Sequence, residues 1–180
     1  MIQEIRIGTN RVGSLIGKGG LTKRKLEEKT GAAITIDSEE GLVKVEGEDP
    51  VGALRAAEVV TAIGRGFSPE RAFILLEDDD LVLDVIDLSG IEPSPQQQER
   101  LRGRIIGKAG RAREQIENMA GIELSVQGKT VAMIGLPDQL KNARTAIDML
   151  INGVPHEAVF SFLEKKRREE KEKNILDYYY

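Results

Sequence analysis

The sequence of 180 residues contains no cysteine, no tryptophan and a single histidine, His156. Without cysteine the chain has neither disulfides nor thiolate chemistry, and we expect a cytoplasmic location. One histidine is too few for a zinc site or an imidazole relay, so we expect His156 to have a surface or capping role. Charges at Glu4 and Arg6 interrupt the N-terminal segment, which therefore does not resemble a signal peptide, and no apolar run is long enough to span a membrane.

Acidic residues are numerous, but their spacing does not indicate catalysis or metal binding. The consecutive carboxylates Asp78, Asp79 and Asp80 lie between a predicted helix and a predicted strand. Runs of this kind ordinarily solvate a loop, so we expect no metal site there. Since no cluster of histidines or suitably spaced carboxylates occurs elsewhere, we expect neither an enzyme nor a bound cofactor.

What the sequence does contain is an internal repeat. The segments IGKGG, at residues 16–20, and IGKAG, at residues 106–110, lie 90 positions apart. Further pairs at the same offset are both glycine or both aliphatic: Gly13 with Gly103, Leu26 with Ile116, Gly31 with Gly121, Ile34 with Leu124, and Ile36 with Val126. Later in each copy the offset is 87, as for Phe73 and Phe160. The repeat is too long for a solenoid and predicts two small domains, at residues 1–78 and 79–180.

Positive charge is concentrated around the two glycine segments, although the whole chain has a net charge of −4. Residues 11–25 carry five basic and no acidic side chains, and residues 100–113 carry six basic and no acidic side chains. A polyanion responds to local charge rather than to the sum over the chain. The two basic windows therefore favour a nucleic-acid partner despite the acidic remainder.

Each copy has the same order of predicted elements. The first copy has a strand at 4–7, a helix at 21–29, strands at 33–36 and 42–45, and helices at 50–63 and 69–77. The second has a strand at 81–88, a polar insertion at 93–98, a helix at 111–119, strands at 123–126 and 131–134, and a helix at 137–152 before a charged helical tail. This order predicts an α+β fold in which an antiparallel three-stranded sheet is backed by helices in each copy.

A glycine turn between two helices is well suited to phosphate binding. Small residues let the backbone approach closely, and the second helix directs unpaired N–H groups and the positive end of its dipole towards the turn. Lys18 and Lys108 add a positive charge at the tips. Such a turn can also simply connect two helices. The duplication and the basic windows favour the binding interpretation.

The spacing argues against nucleotide-binding motifs. A Walker A loop needs a longer interval before its Gly-Lys pair than the three residues between Gly13 and Gly17, and it needs a serine or threonine where Gly19 or Ala109 stands. A dinucleotide fingerprint requires a further glycine at the position of Thr22. The phosphates of a polymer remain as the predicted ligand.

The segments IGKGG-LTKRKLEEKTGAAITI and IGKAG-RAREQIENMAGIELSV resemble the K-homology (KH) domain, which clamps four nucleotides of single-stranded RNA or DNA at a GxxG loop. The resemblance covers nearly the whole chain, and the order of elements is similar to that of the type I form, which implies two type I KH domains in tandem. It assigns the clamps and their neighbouring cations to Gly17, Lys18, Gly19, Gly20, Lys23 and Arg24 in the first copy, and to Arg104, Gly107, Lys108, Ala109, Gly110, Arg111 and Arg113 in the second.

The resemblance also implies an apolar groove beside each clamp. Its predicted lining residues are Ile16, Ile36, Ile106 and Val126. Four other aliphatic positions belong either to the same wall or to the core beneath it, and the sequence does not apportion them: Leu26, Ile34, Ile116 and Leu124. The groove is expected to act through aliphatic contacts, because four phenylalanines and three tyrosines are too few for the stacking platforms of RNA-recognition motifs or OB-folds.

Two features bear on how the clamps grip their ligand. Many KH domains have an aliphatic residue three positions after the last loop glycine, where this chain has Lys23 and Arg113. The substitution favours heavier contact with phosphate. The denser charge around Arg104, Arg111 and Arg113 predicts that the second clamp is the stronger of the two.

The paired, basic-rich arrangement is similar to archaeal KH proteins of the partner-of-Nob-one family, which act in small ribosomal subunit assembly. That resemblance implies binding near the 3′ end of small-subunit rRNA. It also implies contact with a maturation endonuclease or with the alpha subunit of initiation factor two. The alternative is a KH-fold adaptor that binds mainly another protein through its acidic surface and binds RNA weakly.

Overall fold

The computed structural model describes all 180 residues, which form two compact units, Met1–Leu83 and Asp84–Tyr180. Each unit contains one three-stranded antiparallel sheet with helices packed against it. The predicted α+β class is confirmed in both copies, and the order of elements is as predicted except in two segments.

The sheet of the first unit has the order β1-β3-β2, so that β3 is central and β2 is an edge strand. Its strands are β1 (Ile2–Arg6), β2 (Ala33–Asp37) and β3 (Leu42–Glu46). In the antiparallel register Ile34 pairs with Val45 and Ile36 pairs with Val43. Because side chains alternate along a strand, these four residues point to the same face, which is the face that meets the helices.

Four helices complete the first unit: α1 (Val12–Ile16), α2 (Leu21–Thr30), α3 (Pro50–Gly64) and α4 (Pro69–Ala72). The start of α3 is fixed by Pro50 in its first turn and by the carboxylate of Asp49, which accepts a hydrogen bond from the Val51 N–H at 3.1 Å. A Cβ atom at Gly52 would lie 2.2 Å from the Thr30 carbonyl oxygen. Glycine at this position therefore lets α3 approach the end of α2.

The second unit repeats the plan with the sheet order β4-β6-β5. Its strands are β4 (Val82–Asp87), β5 (Glu123–Gln127) and β6 (Thr130–Gly135). Its helices are α5 (Pro95–Ile106), α6 (Arg111–Ala120), α7 (Pro137–Ile151) and α8 (His156–Tyr179). Ile116 of α6, Leu124 of β5 and Ile147 of α7 are completely buried in one hydrophobic core. These contacts anchor the helix and the strand that flank the second glycine turn.

Two predicted segments differ from the structure. Residues 93–98 were predicted as a polar insertion, but Pro95 begins α5, which has 12 residues where α1 has five. The additional residues 95–100 are mostly exposed, and α5 is buried in the core only from Leu101 onwards, where Leu101 and Ile105 lie one turn apart. The predicted helix at 69–77 is the single turn of α4 followed by a 3₁₀ turn, Phe73–Leu76.

The helix α8 packs only at its beginning. Val159 and Leu163 are buried against the core, and α8 contacts both α6 and α7. The following charged residues are mostly exposed and form pairs along the helix, such as Lys166 with Glu169 at 3.5 Å. The helix continues to Tyr179. None of the helices combines the length and the apolarity needed to cross a membrane.

Candidate nucleic-acid interface

Each glycine turn joins two helices, and the first glycine of the turn has a backbone conformation that other residues rarely adopt. Gly17 has φ 75° and ψ 173°, and Gly107 has φ 74° and ψ 178°. A Cβ atom would lie 2.2 Å from Thr22 Oγ1 in the first turn and 2.5 Å from Ala112 Cβ in the second. The first glycine of each GxxG sequence is therefore required by the backbone conformation and by the close approach of the next helix.

The last glycine of each turn forms the N-cap of the following helix. Gly20, with φ 76°, precedes α2, and Gly110, with φ 74°, precedes α6. Neither helix has a side-chain cap, so no side chain accepts hydrogen bonds from the first N–H groups. The turns thus present the positive ends of two ten-residue helices, which is a favourable place for an anion.

The third position of the turn differs between the copies. Gly19 has φ 62°, and its equivalent Ala109 has φ 55°. Ala109 is the single non-glycine residue of the chain with a positive φ. A left-handed alanine costs roughly 1 kcal/mol, and such strain persists where the surrounding structure enforces it. The conformation of the turn is therefore imposed by its surroundings and not by glycine alone.

Several of the predicted cations surround the turns with their side chains in solvent. Lys18 and Lys108 are exposed at the tips, and Arg111 is exposed at the start of α6. Arg24 is also exposed, and its Nη2 donates to the carbonyl oxygen of Gly19 at 3.0 Å. Lys23 is half-buried on the first turn of α2. All five belong to the turns or to the residues that directly follow them in α2 and α6.

Arg104 lies elsewhere. Its Nε donates to the Leu150 carbonyl oxygen at 2.9 Å, and its Nη2 donates to the Val154 carbonyl oxygen at 2.8 Å. The His156 ring nitrogen Nε2 lies 2.7 Å from the Arg104 carbonyl oxygen. The Arg104 side chain therefore binds carbonyl groups at and just after the end of α7, and the His156 ring, in the first turn of α8, contacts the last turn of α5.

A glutamate that sequence analysis missed fastens each helix to the edge strand beside it. The Glu27 carboxylate accepts a hydrogen bond from the Ile34 N–H at 3.0 Å, and the Glu117 carboxylate accepts one from the Leu124 N–H at 3.1 Å. Glu117 also pairs with Arg113 at 3.0 Å. The signal was present in the sequence, since both glutamates stand seven residues before their partners and 90 positions apart.

Burial separates the predicted groove residues from the core. The four that are completely or almost completely buried are Leu26, Ile34, Ile116 and Leu124. The four that keep part of their surface in solvent are Ile16, Ile36, Ile106 and Val126. The second set lies just before the turns and on the edge strands β2 and β5. Each turn thus has a partly exposed aliphatic wall available beside it.

Comparisons with known proteins agree with this geometry. Residues 2–62 match the family model described as "KH domain", and residues 82–168 match the one described as "Eukaryotic type KH-domain (KH-domain type I)". The chain belongs to the KH family. Its two KH modules, each built around one GxxG turn, account for most of its length.

The chain is similar to both archaeal and eukaryotic KH proteins. It is 40% identical over 172 residues to a KH domain-containing protein of Methanocaldococcus jannaschii, covering 93% of this chain and 75% of that protein. It is 34% identical over 125 residues to the pre-rRNA-processing protein pno1 of Aspergillus fumigatus, covering 68% of this chain and 50% of that protein. The chain spans about half the length of the eukaryotic relatives that it matches.

The chain is also similar to a solved structure. That structure is described as the a/eIF2alpha-aDim2p-rRNA complex from Pyrococcus horikoshii OT3. The similarity has a TM-score of 0.87 and a sequence identity of 45%, and it covers 94% of this chain and 95% of the matched chain. Identity at this level supports homology as well as a common fold.

Proposed function

We propose that the chain binds single-stranded RNA through the GxxG turns of both KH modules, without catalysing a reaction on it. The observation that carries the proposal is the pair of uncapped helix ends at Gly20 and Gly110, each with an exposed lysine at its tip. Backbone N–H groups and lysines would hold two or more phosphates, and the aliphatic wall would support the bases.

Two modules in one chain can bind an RNA strand more tightly than one module alone. Once one GxxG turn holds an RNA strand, the second turn meets the rest of that strand at a high effective concentration. Two modules of modest affinity therefore bind the same RNA strand with a much higher combined affinity. Because much of the energy comes from phosphate contacts, the affinity should fall as the salt concentration rises.

We infer further that the RNA is the 3′ region of small-subunit rRNA and that binding serves small-subunit assembly, with a cytoplasmic location. The names of two relatives support this: one is a pre-rRNA-processing protein, and one was solved in a complex with rRNA. The same complex supports the alpha subunit of initiation factor two as a protein partner. A maturation endonuclease is a further proposed partner.

The test is a filter-binding titration with single-stranded RNA from the 3′ end of small-subunit rRNA. Lys18→Asp with Gly19→Asp should weaken binding at least about tenfold, and so should Lys108→Asp with Ala109→Asp. Aspartate tolerates the left-handed conformation of Gly19 and Ala109, so the fold should persist. The control is Lys141→Asp with Thr145→Asp on α7, which changes the charge equally at exposed positions outside the turns. Unchanged binding in both turn variants would refute the clamp assignment.

The second candidate is a KH-fold adaptor for another protein. The acidic remainder of the surface and the initiation-factor subunit in the matched complex favour it. A pull-down of that subunit with and without nuclease separates the two functions. Capture that survives nuclease and also survives the turn substitutions would support the adaptor, whereas capture that both treatments abolish would support RNA binding.

A further inference from the structure

We propose that the two KH modules contribute unequally to RNA binding, and that the first holds the phosphates of the strand more strongly than the second. The inference rests on the proposed RNA binding and concerns how that site operates. It follows from differences between equivalent positions of the two copies, which share their backbone conformation at the turns.

Charge around the turns is the first difference. Residues 17–27 contain four basic side chains and one acidic side chain, whereas the equivalent residues 107–117 contain three basic and two acidic side chains. Lys25 of the first set lies over the Phe73 ring, at 5.2 Å from its centroid. Lys18, Lys23 and Arg24 remain beside the first turn.

The position four residues after the last loop glycine shows the difference most clearly. It holds Arg24 in the first module and Glu114 in the second, and both are exposed on the first or second turn of the helix. Arg24 is attached to the turn by its hydrogen bond to the Gly19 carbonyl oxygen at 3.0 Å. A phosphate at the helix end would therefore meet an additional positive charge in the first module and a negative charge in the second.

The position three residues after the last loop glycine adds to the difference. Arg113 pairs with Glu117 at 3.0 Å, and the side chains of both are largely covered, with exposed fractions of 32% and 18%. Lys23 forms no such pair, although the Glu27 carboxylate accepts the equivalent hydrogen bond from the edge strand, at the Ile34 N–H. The second module thus offers Lys108 and Arg111 as unpaired cations, opposed by Glu114.

Access to the backbone is the second difference. A Cβ atom at Gly19 would contact no other atom, so the tip of the first turn is open. Ala109 places a methyl group at the equivalent tip. Glycine admits a phosphate close to the backbone N–H groups, whereas the methyl group occupies part of that space. Backbone and charge therefore both favour phosphate binding in the first module.

This conclusion reverses the sequence-based expectation that the second clamp is the stronger phosphate site. That expectation counted Arg104, Arg111 and Arg113 as loop cations. In the structure the Arg104 guanidinium binds the end of α7, and the Arg113 guanidinium is paired with Glu117. Only Arg111 of the three remains beside the turn without an acidic partner.

The experiment measures how RNA affinity depends on salt for two full-length variants with equal charge changes. One is Lys18→Gln with Lys23→Gln and Arg24→Gln, and the other is Lys108→Gln with Arg111→Gln and Arg113→Gln. The probe is single-stranded RNA from the 3′ end of small-subunit rRNA, titrated between about 50 and about 200 mM salt. Each lost contact to a single strand reduces the slope of log K against log salt by about 0.7.

The first variant should reduce the slope by about 2, the share of three contacts, and the second by about 1.4, the share of two. Circular dichroism and thermal melting verify that both variants are folded. Equal reductions, or a larger reduction in the second variant, would overturn the stronger phosphate binding of the first module while leaving RNA binding intact. A wild-type chain that does not bind the RNA would instead refute the proposed function.

Discussion

Arg11 and Arg104 stand at non-equivalent positions of the repeat, yet each donates from Nε to a carbonyl oxygen in the last turn of a helix, α3 or α7, and from Nη2 to a carbonyl oxygen just after that helix. The acceptors are Ile63 and Phe67 for Arg11, and Leu150 and Val154 for Arg104, all at 2.8 to 2.9 Å. The acceptors are 87 positions apart in the sequence, but the arginines are 93 positions apart. The same contact is thus made from two different places in the chain.

Removing either arginine should destabilise its module. Arg104→Met would leave two carbonyl groups at the end of α7 without their charged donor, which should cost about 1 to 3 kcal/mol. Thermal melting of the full chain measures the loss, and Arg100→Met, at an exposed position of α5, is the matched control. Because Arg104 acts within its module, the variant should retain the salt dependence of RNA binding. Equal melting temperatures for the two variants would contradict this role.

The glycines of the first turn should differ in their tolerance of alanine. At Gly19 a Cβ atom meets nothing, so Gly19→Ala should cost only the left-handed conformation, roughly 1 kcal/mol. At Gly17 the same atom would lie 2.2 Å from Thr22 Oγ1, so Gly17→Ala should cost clearly more. Denaturant unfolding of both variants measures the difference, and a Gly17→Ala variant as stable as Gly19→Ala would be incompatible with the geometry.

The reciprocal change in the second turn should stabilise the chain. Ala109→Gly relieves the strain of a left-handed alanine, about 1 kcal/mol, and the greater freedom of glycine in the unfolded chain offsets part of that gain. We expect a net increase of about 0.5 kcal/mol in the free energy of unfolding. Thermal melting is the measurement, with Gly19→Ala as the mirror variant. A lower melting temperature for Ala109→Gly would show that Ala109 is not strained.

The surroundings of Glu58 predict that the stability of the folded chain depends on pH. It is partly buried on α3, where burial raises the pKa of its carboxyl group and the Arg55 guanidinium, 3.6 Å away, opposes this effect only in part. Its Oε2 atom has no hydrogen-bond partner. Since the folded chain favours the protonated carboxyl group, stability is lost as the pH rises through and above the ordinary pKa of 4.5.

Glu58→Gln should therefore raise the melting temperature at pH 7, and the difference should vanish when Glu58 is protonated, below about pH 4. Glu28→Gln, at an exposed position of α2, is the control. A Glu58→Gln variant that melts below the wild-type chain at pH 7 would show that the pair with Arg55 outweighs the cost of burial.

The order of elements and the position of both turns could be predicted from the sequence, because local patterns determine them. The strands β2 and β3 follow alternation over a few residues, and the turns follow a repeat at a constant offset. Partners far apart in the chain could not be predicted. The Arg104 guanidinium meets carbonyl groups 46 and 50 residues away, and no local pattern marks that contact.

The sequence also could not show which aliphatic residues belong to the groove and which belong to the core. Ile34 and Ile36 lie two residues apart on the same face of β2, so alternation treats them alike. Ile34 is 2% exposed, while Ile36 keeps more of its surface in solvent. Ile34 lies nearer to α2, as its bond to the Glu27 carboxylate shows. Tertiary packing, and not periodicity, separates the two isoleucines.

The most direct test of RNA binding at the turns is photo-crosslinking of bound single-stranded RNA to the full chain, followed by mass spectrometry of the attached peptides. We expect crosslinks at residues 16–24 and 106–113 and on the edge strands near Ile36 and Val126. Crosslinks concentrated on α8, or on the outer face of the first sheet at Thr35 and Lys44, with none at either turn, would contradict it.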